Sequence, residues 1–289
     1  MASRQQIKRR IGSVKNTKQI TRAMQMVAAS KLRRAQEAVA KPREYARLAR
    51  EVLTRLRKLA ADASEFHLFT PRPIKARLLV VVASDITLAG AYNSNVIRRM
   101  IAELRADRDK GIKTSVICIG RQAANAASRI AGVEVEAVYQ EMPDHPTADN
   151  LRPILNSAVA LFVDEKVDAV DLIFTEFKST VSQTVVLQKF LPAGFDEAEL
   201  SSEVASAEVE PSAEELLQAA TLRLLEAQIY QALLDARASE HSMRMLAMKN
   251  ATDNAGDIIE DLTLEYNNAR QAAITQELAE ITGGAEALK

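Results

Sequence analysis

Apolar and polar residues recur with the period of an α-helix over the first 60 residues. From about Ser3 to Leu59, apolar or small residues return at steps of three, four or seven, which places them on one helical stripe. The stripe runs through Ile7, Ile11, Val14, Thr21, Met24, Ala28, Leu32, Ala35 and Val39, and resumes at Tyr45, Leu48, Val52, Leu56 and Leu59. Pro42 has no backbone donor, so we expect the helix to bend or to be interrupted there.

The C-terminal segment repeats with a period of seven. Pro211 and Ser212, followed by two glutamates, predict a helix start, and Gly283 with Gly284 predicts its end. One seam position runs through Leu217, Leu224, Gln231, Ala238, Met245, Thr252, Ile259, Tyr266 and Ala273. The other runs through Ala220, Ala227, Leu234, His241, Met248, Ala255, Leu262, Ala269 and Gln276. A helix of roughly 70 residues with such a seam indicates a coiled coil.

The residues between the two helices alternate between short apolar runs and helical stretches. We predict strands at 77–83, 114–119, 133–139, 169–177 and 184–190, the last as an antiparallel edge, and helices at 95–108, 122–130 and 148–165. This alternation implies an α/β layer structure. Residues 194–212 are rich in Glu and Ser and are typical of a mobile surface loop.

The charge of the chain is strongly asymmetric although its net charge is zero. Residues 1–58 carry 17 Lys and Arg against 3 Asp and Glu, whereas residues 211–289 carry 6 against 13. A basic segment can bind nucleic acid, but segments of opposite charge can also pack on each other. We therefore expect an α/β fold class with a long antiparallel coiled coil of N- and C-terminal helices (1–60 and 211–289) plus a central Rossmann-like α/β domain (61–210).

No active site is evident from the residue pattern. The turn from Ser84 to Asn93 follows the first strand, where α/β folds usually bind ligands, but it matches neither glycine-rich phosphate motif, and we interpret it as a polar turn. Cys118 is expected to be a buried, inert thiol, and His241 to be a satisfied seam residue. The three histidines show no metal-ligand spacing, so we expect no cofactor and no metal. No apolar run is long enough to span a bilayer, and we expect a soluble chain.

Three long motifs resemble the gamma subunits of bacterial F-type ATP synthases. The motifs are IKRRIGSVKNTKQITRAMQMVAASKL at 7–32, SEHSMRMLAMKNATDNA at 239–255 and LEYNNARQAAITQEL at 264–278. The order of elements agrees along the whole chain. The turn at 84–93 departs from the family pattern, because Ile86, Thr87 and Ala89 stand where Arg, Gly and Cys are common.

The resemblance implies a non-catalytic rotor shaft that transmits torque between a membrane c-ring and the catalytic beta subunits. The implied partners are the alpha, beta and epsilon subunits and the c-ring, with the chain peripheral to the cytoplasmic side of a bacterial membrane. The implied contacts with the alpha/beta hexamer are Met24, Lys31, Arg33, Arg34, Arg270, Gln271, Thr275 and Glu277.

Two other functions are weighed against this one. The basic first segment could belong to a nucleic-acid-binding coiled-coil protein, which would bind DNA in a salt-sensitive way. The turn at 84–93 could belong to an enzyme with a nucleotide site, which would bind ATP tightly.

Overall fold

The computed structural model of the chain describes residues 4–59, 67–194, 201–206, 210 and 212–286. Its contacts divide the chain into two compact units. The larger unit is Ala29–Met243, and the smaller unit comprises the residues before Ala29 and after Met243. Each of the two long helices therefore contributes to both units.

The larger unit is built on a five-stranded sheet with the strand order β3-β2-β1-β4-β5. The strands are β1 (Ala76–Val82), β2 (Lys113–Ile119), β3 (Glu134–Tyr139), β4 (Ala169–Phe177) and β5 (Gln183–Leu191). All neighbours pair in parallel except β4 and β5, which are antiparallel. This is the order of doubly wound α/β folds, so the predicted Rossmann-like class and the antiparallel edge strand are confirmed.

Helices cover both faces of the sheet. They are α1 (Arg4–Leu59), α2 (Tyr92–Asp109), α3 (Arg121–Ala127), α4 (Ala148–Val163), α5 (Ser202–Ser206) and α6 (Ala213–Glu286). Alternate strand residues point to opposite faces. Leu78 and Val80 enter a core with α1, α4 and α6, whereas Leu79 and Val81 enter a second core with α2 and α3.

The first helix continues through Pro42, so of the bend or interruption expected there the interruption does not occur. A proline in a helix interior costs about 3 kcal/mol. Val39 and Ala46 are buried on either side of it, and Leu53 and Leu56 bury the same stripe further on. Each buried Leu-sized side chain contributes about 1.5–3 kcal/mol, which offsets the lost hydrogen bond.

Two further expectations about local structure are wrong. The helix α6 does not end at Gly283 and Gly284 but continues to Glu286, because glycine weakens a helix without blocking its hydrogen bonds. The expected loop at 194–212 contains α5, and the Ser201 backbone N–H and hydroxyl donate to the Glu51 carboxylate at 3.0 and 2.7 Å. Residues 195–200, 207–209 and 211 of that loop lie outside the described residues.

Gly120 connects β2 to α3 in a conformation that a side chain would not tolerate. Its φ is +95°, and a Cβ there would lie 2.2 Å from the carbonyl oxygen of Ala83. We expect Gly120→Ala to lower the free energy of unfolding by about 2–4 kcal/mol, measured by denaturant titration. Gly111→Ala is the matched control, since its φ of +73° is also positive but its Cβ would meet nothing within 4 Å. That control should lose only about 1 kcal/mol, and equal losses would contradict the steric account.

In the smaller unit, α1 and α6 pair as an antiparallel coiled coil. The hydroxyl of Thr252 donates to that of Thr21 at 2.8 Å, and a side chain at Gly256 would begin 2.9 Å from Nζ of Lys18. Later residues of α6 thus meet earlier residues of α1, which confirms the predicted orientation. The predicted seam is buried or half-buried at Met248, Thr252, Ala255, Ile259, Leu262, Tyr266, Ala269 and Ala273.

Candidate partner-contact surfaces

The last turns of α6 expose an apolar stripe. Beyond Ala273 every α6 residue up to Thr282 with a described side chain is exposed. Ile274, Leu278 and Ile281 are 46%, 57% and 69% exposed and follow at steps of four and three, so they share one face of the helix. We name these three residues the terminal stripe. Exposed apolar patches of this kind mark protein–protein contacts.

The predicted contact residues near the C-terminus lie on the same segment. Arg270, Gln271, Thr275 and Glu277 are all exposed. The hydroxyl of Thr275 donates to the backbone oxygen of Gln271 at 3.0 Å, which leaves its methyl group on the surface. Met24, on the apolar stripe of α1, is half-buried. The smaller unit therefore carries five of the eight predicted contacts.

The terminal stripe was missed at the level of sequence. Its residues fall between the two seam positions of the heptad, so the seam pattern alone does not identify them. Apolar residues that lie off the seam were the available signal. Ile20, Met26 and Val27 of α1 are exposed by 61%, 61% and 58% and extend the same pattern to the first helix.

Three basic residues of the predicted contact set, Lys31, Arg33 and Arg34, lie on α1 in the larger unit. Arg33 and Arg34 are exposed, and Arg33 pairs with Glu37 one turn later at 3.5 Å. The ammonium group of Lys31 contacts the carboxylate of Asp144 at 3.0 Å. An additional acidic partner would have to share Lys31 with that carboxylate.

The edge of the sheet that usually holds a ligand is filled by α6. In doubly wound folds ligands bind outside the carboxyl ends of the parallel strands. Here Leu233, Ala236 and Arg237 cover the ends of β1 and β2, and the remaining cavity has about 10 Å³. A small-molecule site needs about 300–1,000 Å³, so a nucleotide does not fit there.

The turn at 84–93 uses its polar groups to hold the fold. Asp85 accepts from the backbone N–H groups of Arg121 at 3.0 Å and Glu141 at 3.1 Å. The hydroxyl of Ser84 donates to the Ile86 oxygen at 2.6 Å, and Asn93 accepts from the Ser84 N–H at 3.1 Å. These contacts support the interpretation of a polar strand-to-helix turn.

Cys118 and His241 have the environments expected of them. Burial raises the pKa of the Cys118 thiol to about 11, so the reactive thiolate is scarce at neutral pH. His241 is 4% exposed, and its Nε2 lies 3.3 Å from Asp144. Within the described residues, no group of three or more His, Cys, Asp or Glu side chains could hold a metal ion.

No described helix combines the length and the apolar character that crossing a membrane requires. A coiled coil with an exposed apolar stripe and an α/β domain whose usual ligand edge is filled by α6 define a class: an assembly subunit that offers contact surfaces.

Known proteins of one family share this organisation. The ATP synthase family matches residues 3–288. The chain is 37% identical over 288 residues to the ATP synthase gamma chain of Stenotrophomonas maltophilia (strain R551-3), and 40% identical over 295 residues to that of Heliobacterium modesticaldum. Both alignments cover 100% of each chain. A chain of the cryo-EM structure of the Tetrahymena thermophila mitochondrial ATP synthase central stalk and c-ring matches with a TM-score of 0.54 and 26% identity, over 80% of this chain and 99% of that one. The chain belongs to the ATP synthase gamma chain family, which confirms the resemblance seen in its motifs.

Proposed function

We propose that this chain is the central rotor shaft of an F-type ATP synthase and transmits torque between the membrane c-ring and the catalytic beta subunits. The terminal stripe carries the proposal. A helix whose last turns expose Ile274, Leu278 and Ile281 has an apolar face that a partner must cover. A ring of alpha and beta subunits around the shaft would cover it.

In this proposal the chemistry belongs to the beta subunits. The filled sheet edge and the buried Cys118 leave the gamma chain to act mechanically. Rotation would present different faces of the shaft to each beta subunit in turn. A face that contacts one conformation of a beta subunit better than another shifts that subunit among its open, loose and tight states.

The proposed contacts divide into two groups. Met24, Arg270, Gln271, Thr275 and Glu277 would contact the alpha/beta hexamer along the coiled coil. Lys31, Arg33 and Arg34 would face the acidic lever of beta, which suits their charge. The α/β domain would contact the epsilon subunit and the c-ring, and the chain would then lie on the cytoplasmic side of a bacterial membrane.

The charges of the larger unit argue against a nucleic-acid-binding protein. Arg43 pairs with Asp235 at 2.5 Å, and Arg47 pairs with Glu44 at 3.1 Å and with Glu51. Cations engaged in this way release few counterions from DNA, so DNA affinity should be low.

Assembly with purified alpha and beta subunits of a bacterial synthase tests the proposal. We expect the chain to co-elute with them in gel filtration and to change their ATPase activity. The isolated chain should show no tight ATP binding by calorimetry and no tight DNA binding at physiological salt. Tight DNA binding without co-elution would favour the nucleic-acid-binding alternative, and a micromolar ATP site in the isolated chain would favour an enzyme.

A further inference from the structure

Asp144 joins three elements of the larger unit. It lies between β3 and α4, and its carboxylate contacts both long helices. Oδ2 is 3.0 Å from Nζ of Lys31 on α1, and Oδ1 is 3.3 Å from Nε2 of His241 on α6. Lys31 and His241 come from segments 210 residues apart in the chain. We name this group of three residues the Asp144 clasp.

A second link holds the same segment at its backbone. A guanidinium nitrogen of Arg237 on α6 donates to the backbone oxygen of Met142 at 2.5 Å. Arg237 is itself held by Glu240 at 2.9 Å and lies 3.9 Å from Asp85. The segment before α4 is therefore held through the main chain of Met142 and through the side chain of Asp144.

The electrostatics of the clasp favour an ionised carboxylate. Burial by itself would raise the pKa of Asp144. The hydrogen bond from Lys31 and electrostatic interactions with His241, Lys31 and Arg237 outweigh that effect and lower its pKa. The side chains of Lys31 and Asp144 are 47% and 42% exposed, so solvent still screens the ion pair.

Directional contacts matter here because the packing around them is apolar. Leu53 and Leu56 of α1 and Ile229 and Leu233 of α6 pack on the sheet. Apolar burial depends on area and has little directional preference, so it resists separation better than it resists sliding. Hydrogen bonds and ion pairs need a defined geometry and resist sliding. At the opposite edge of the sheet, uncharged hydrogen bonds hold α6 to the β4–β5 hairpin, such as that from Ser242 Oγ to the Thr180 oxygen at 2.7 Å.

We propose that Asp144 is a positioning residue that locks the α/β domain onto both long helices, so that torque passes between them without slip. This inference rests on the proposed function. It also gives Lys31 a role inside the chain, which competes with its proposed contact with the beta subunit.

Single and double variants in the assembled synthase distinguish a contact of Lys31 with Asp144 from a contact of Lys31 with the beta subunit. The measurement is the number of ions pumped per ATP hydrolysed in membrane vesicles. We expect Asp144→Asn and Lys31→Met each to raise the fraction of uncoupled turnovers about two- to fivefold, the factor that corresponds to losing a half-exposed ion pair. The double variant should be no worse than either single variant, because both remove the same contact. Asp144→Glu, which keeps the charge, should restore most of the coupling.

Two controls keep the test decisive. Glu134→Gln removes an exposed carboxylate that pairs with Lys113 at 3.1 Å at the N-terminal end of the edge strand β3, and it should leave coupling unchanged. Amide exchange of residues 140–147 in the full chain should speed up about two- to fivefold in Asp144→Asn, even if assembly were impaired.

The outcomes distinguish this inference from the function on which it rests. If the unmodified chain does not couple pumping to hydrolysis, the proposed function fails. If the unmodified chain couples and Lys31→Met uncouples while Asp144→Asn does not, Lys31 acts on a partner and the clasp is overturned. Unchanged exchange at 140–147 in Asp144→Asn would also overturn it.

Discussion

Replacing Arg77 with methionine should lower the free energy of unfolding by about 3–5 kcal/mol, because the change leaves buried carboxylates without their cation. Arg77 donates to Asp171 at 2.6 Å, to Asp107 at 3.0 Å and to Glu103 at 3.1 Å. Asp107 and Asp171 are only 2% and 5% exposed. Denaturant titration of the full chain measures the loss.

The pH dependence of that loss provides a second readout. Burial raises the pKa of Asp171 although the charge of Arg77 opposes the shift. A raised pKa means that the contribution of Asp171 to stability is present below its ordinary pKa and is lost as the pH rises through the raised value. Without Arg77 the upward shift of the Asp171 pKa should grow. Arg77→Met should therefore lower the free energy of unfolding more at neutral pH than near pH 4.

A control for this prediction lies on the surface of the same domain. Arg152→Gln breaks an ion pair with Asp149 at 3.4 Å in which the side chains are 53% and 88% exposed. It should change stability by less than about 0.5 kcal/mol. If Arg77→Met were as mild as this control, the buried charges would not depend on Arg77 as we infer.

Ending the chain after Arg270 should uncouple the synthase while leaving both units folded. The removed residues include the terminal stripe, and among those with a described side chain only Ala273 is not exposed. The melting temperature of the isolated chain should therefore fall by less than about 2 °C. Ion pumping per ATP hydrolysed in vesicles should fall, because the shaft would lose its apolar contact with the alpha/beta ring.

A full-length variant separates the stripe from the length of the helix. Serine at Ile274, Leu278 and Ile281 together keeps the helix but removes its apolar face. It should reproduce most of the coupling loss, whereas Glu280→Ser on the same segment should not. Normal coupling in the truncated chain would contradict the proposal that this end is enclosed by partners.

Sequence periodicity predicted the large features because they depend on many residues at once. The seam from Met248 to Ala273 and the apolar runs of the strands each repeat a pattern that no single residue can spoil. Single-residue signals were less reliable. Pro42 and Gly283 suggested breaks that do not occur, since tertiary packing outweighs a local penalty at Pro42 and glycine only weakens a helix.

The polar links between elements left no signal in the sequence. Arg77 meets Asp171 across 94 positions, and Asp144 meets His241 across 97. The short helix α5 is tied to α1 through Ser201 and Glu51, 150 positions apart. Such pairs depend on which elements the fold brings together, and the order of strands and helices alone does not specify their contacts.

Vesicles in which this chain is the only gamma subunit of the synthase test whether it transmits torque. The measurement is ATP-driven ion pumping together with ATP hydrolysis, with and without the chain. We expect pumping to require the chain, and hydrolysis and pumping to rise together when it is present. Hydrolysis by an assembled complex that contains the chain but pumps no ions would contradict its role as the torque-transmitting shaft.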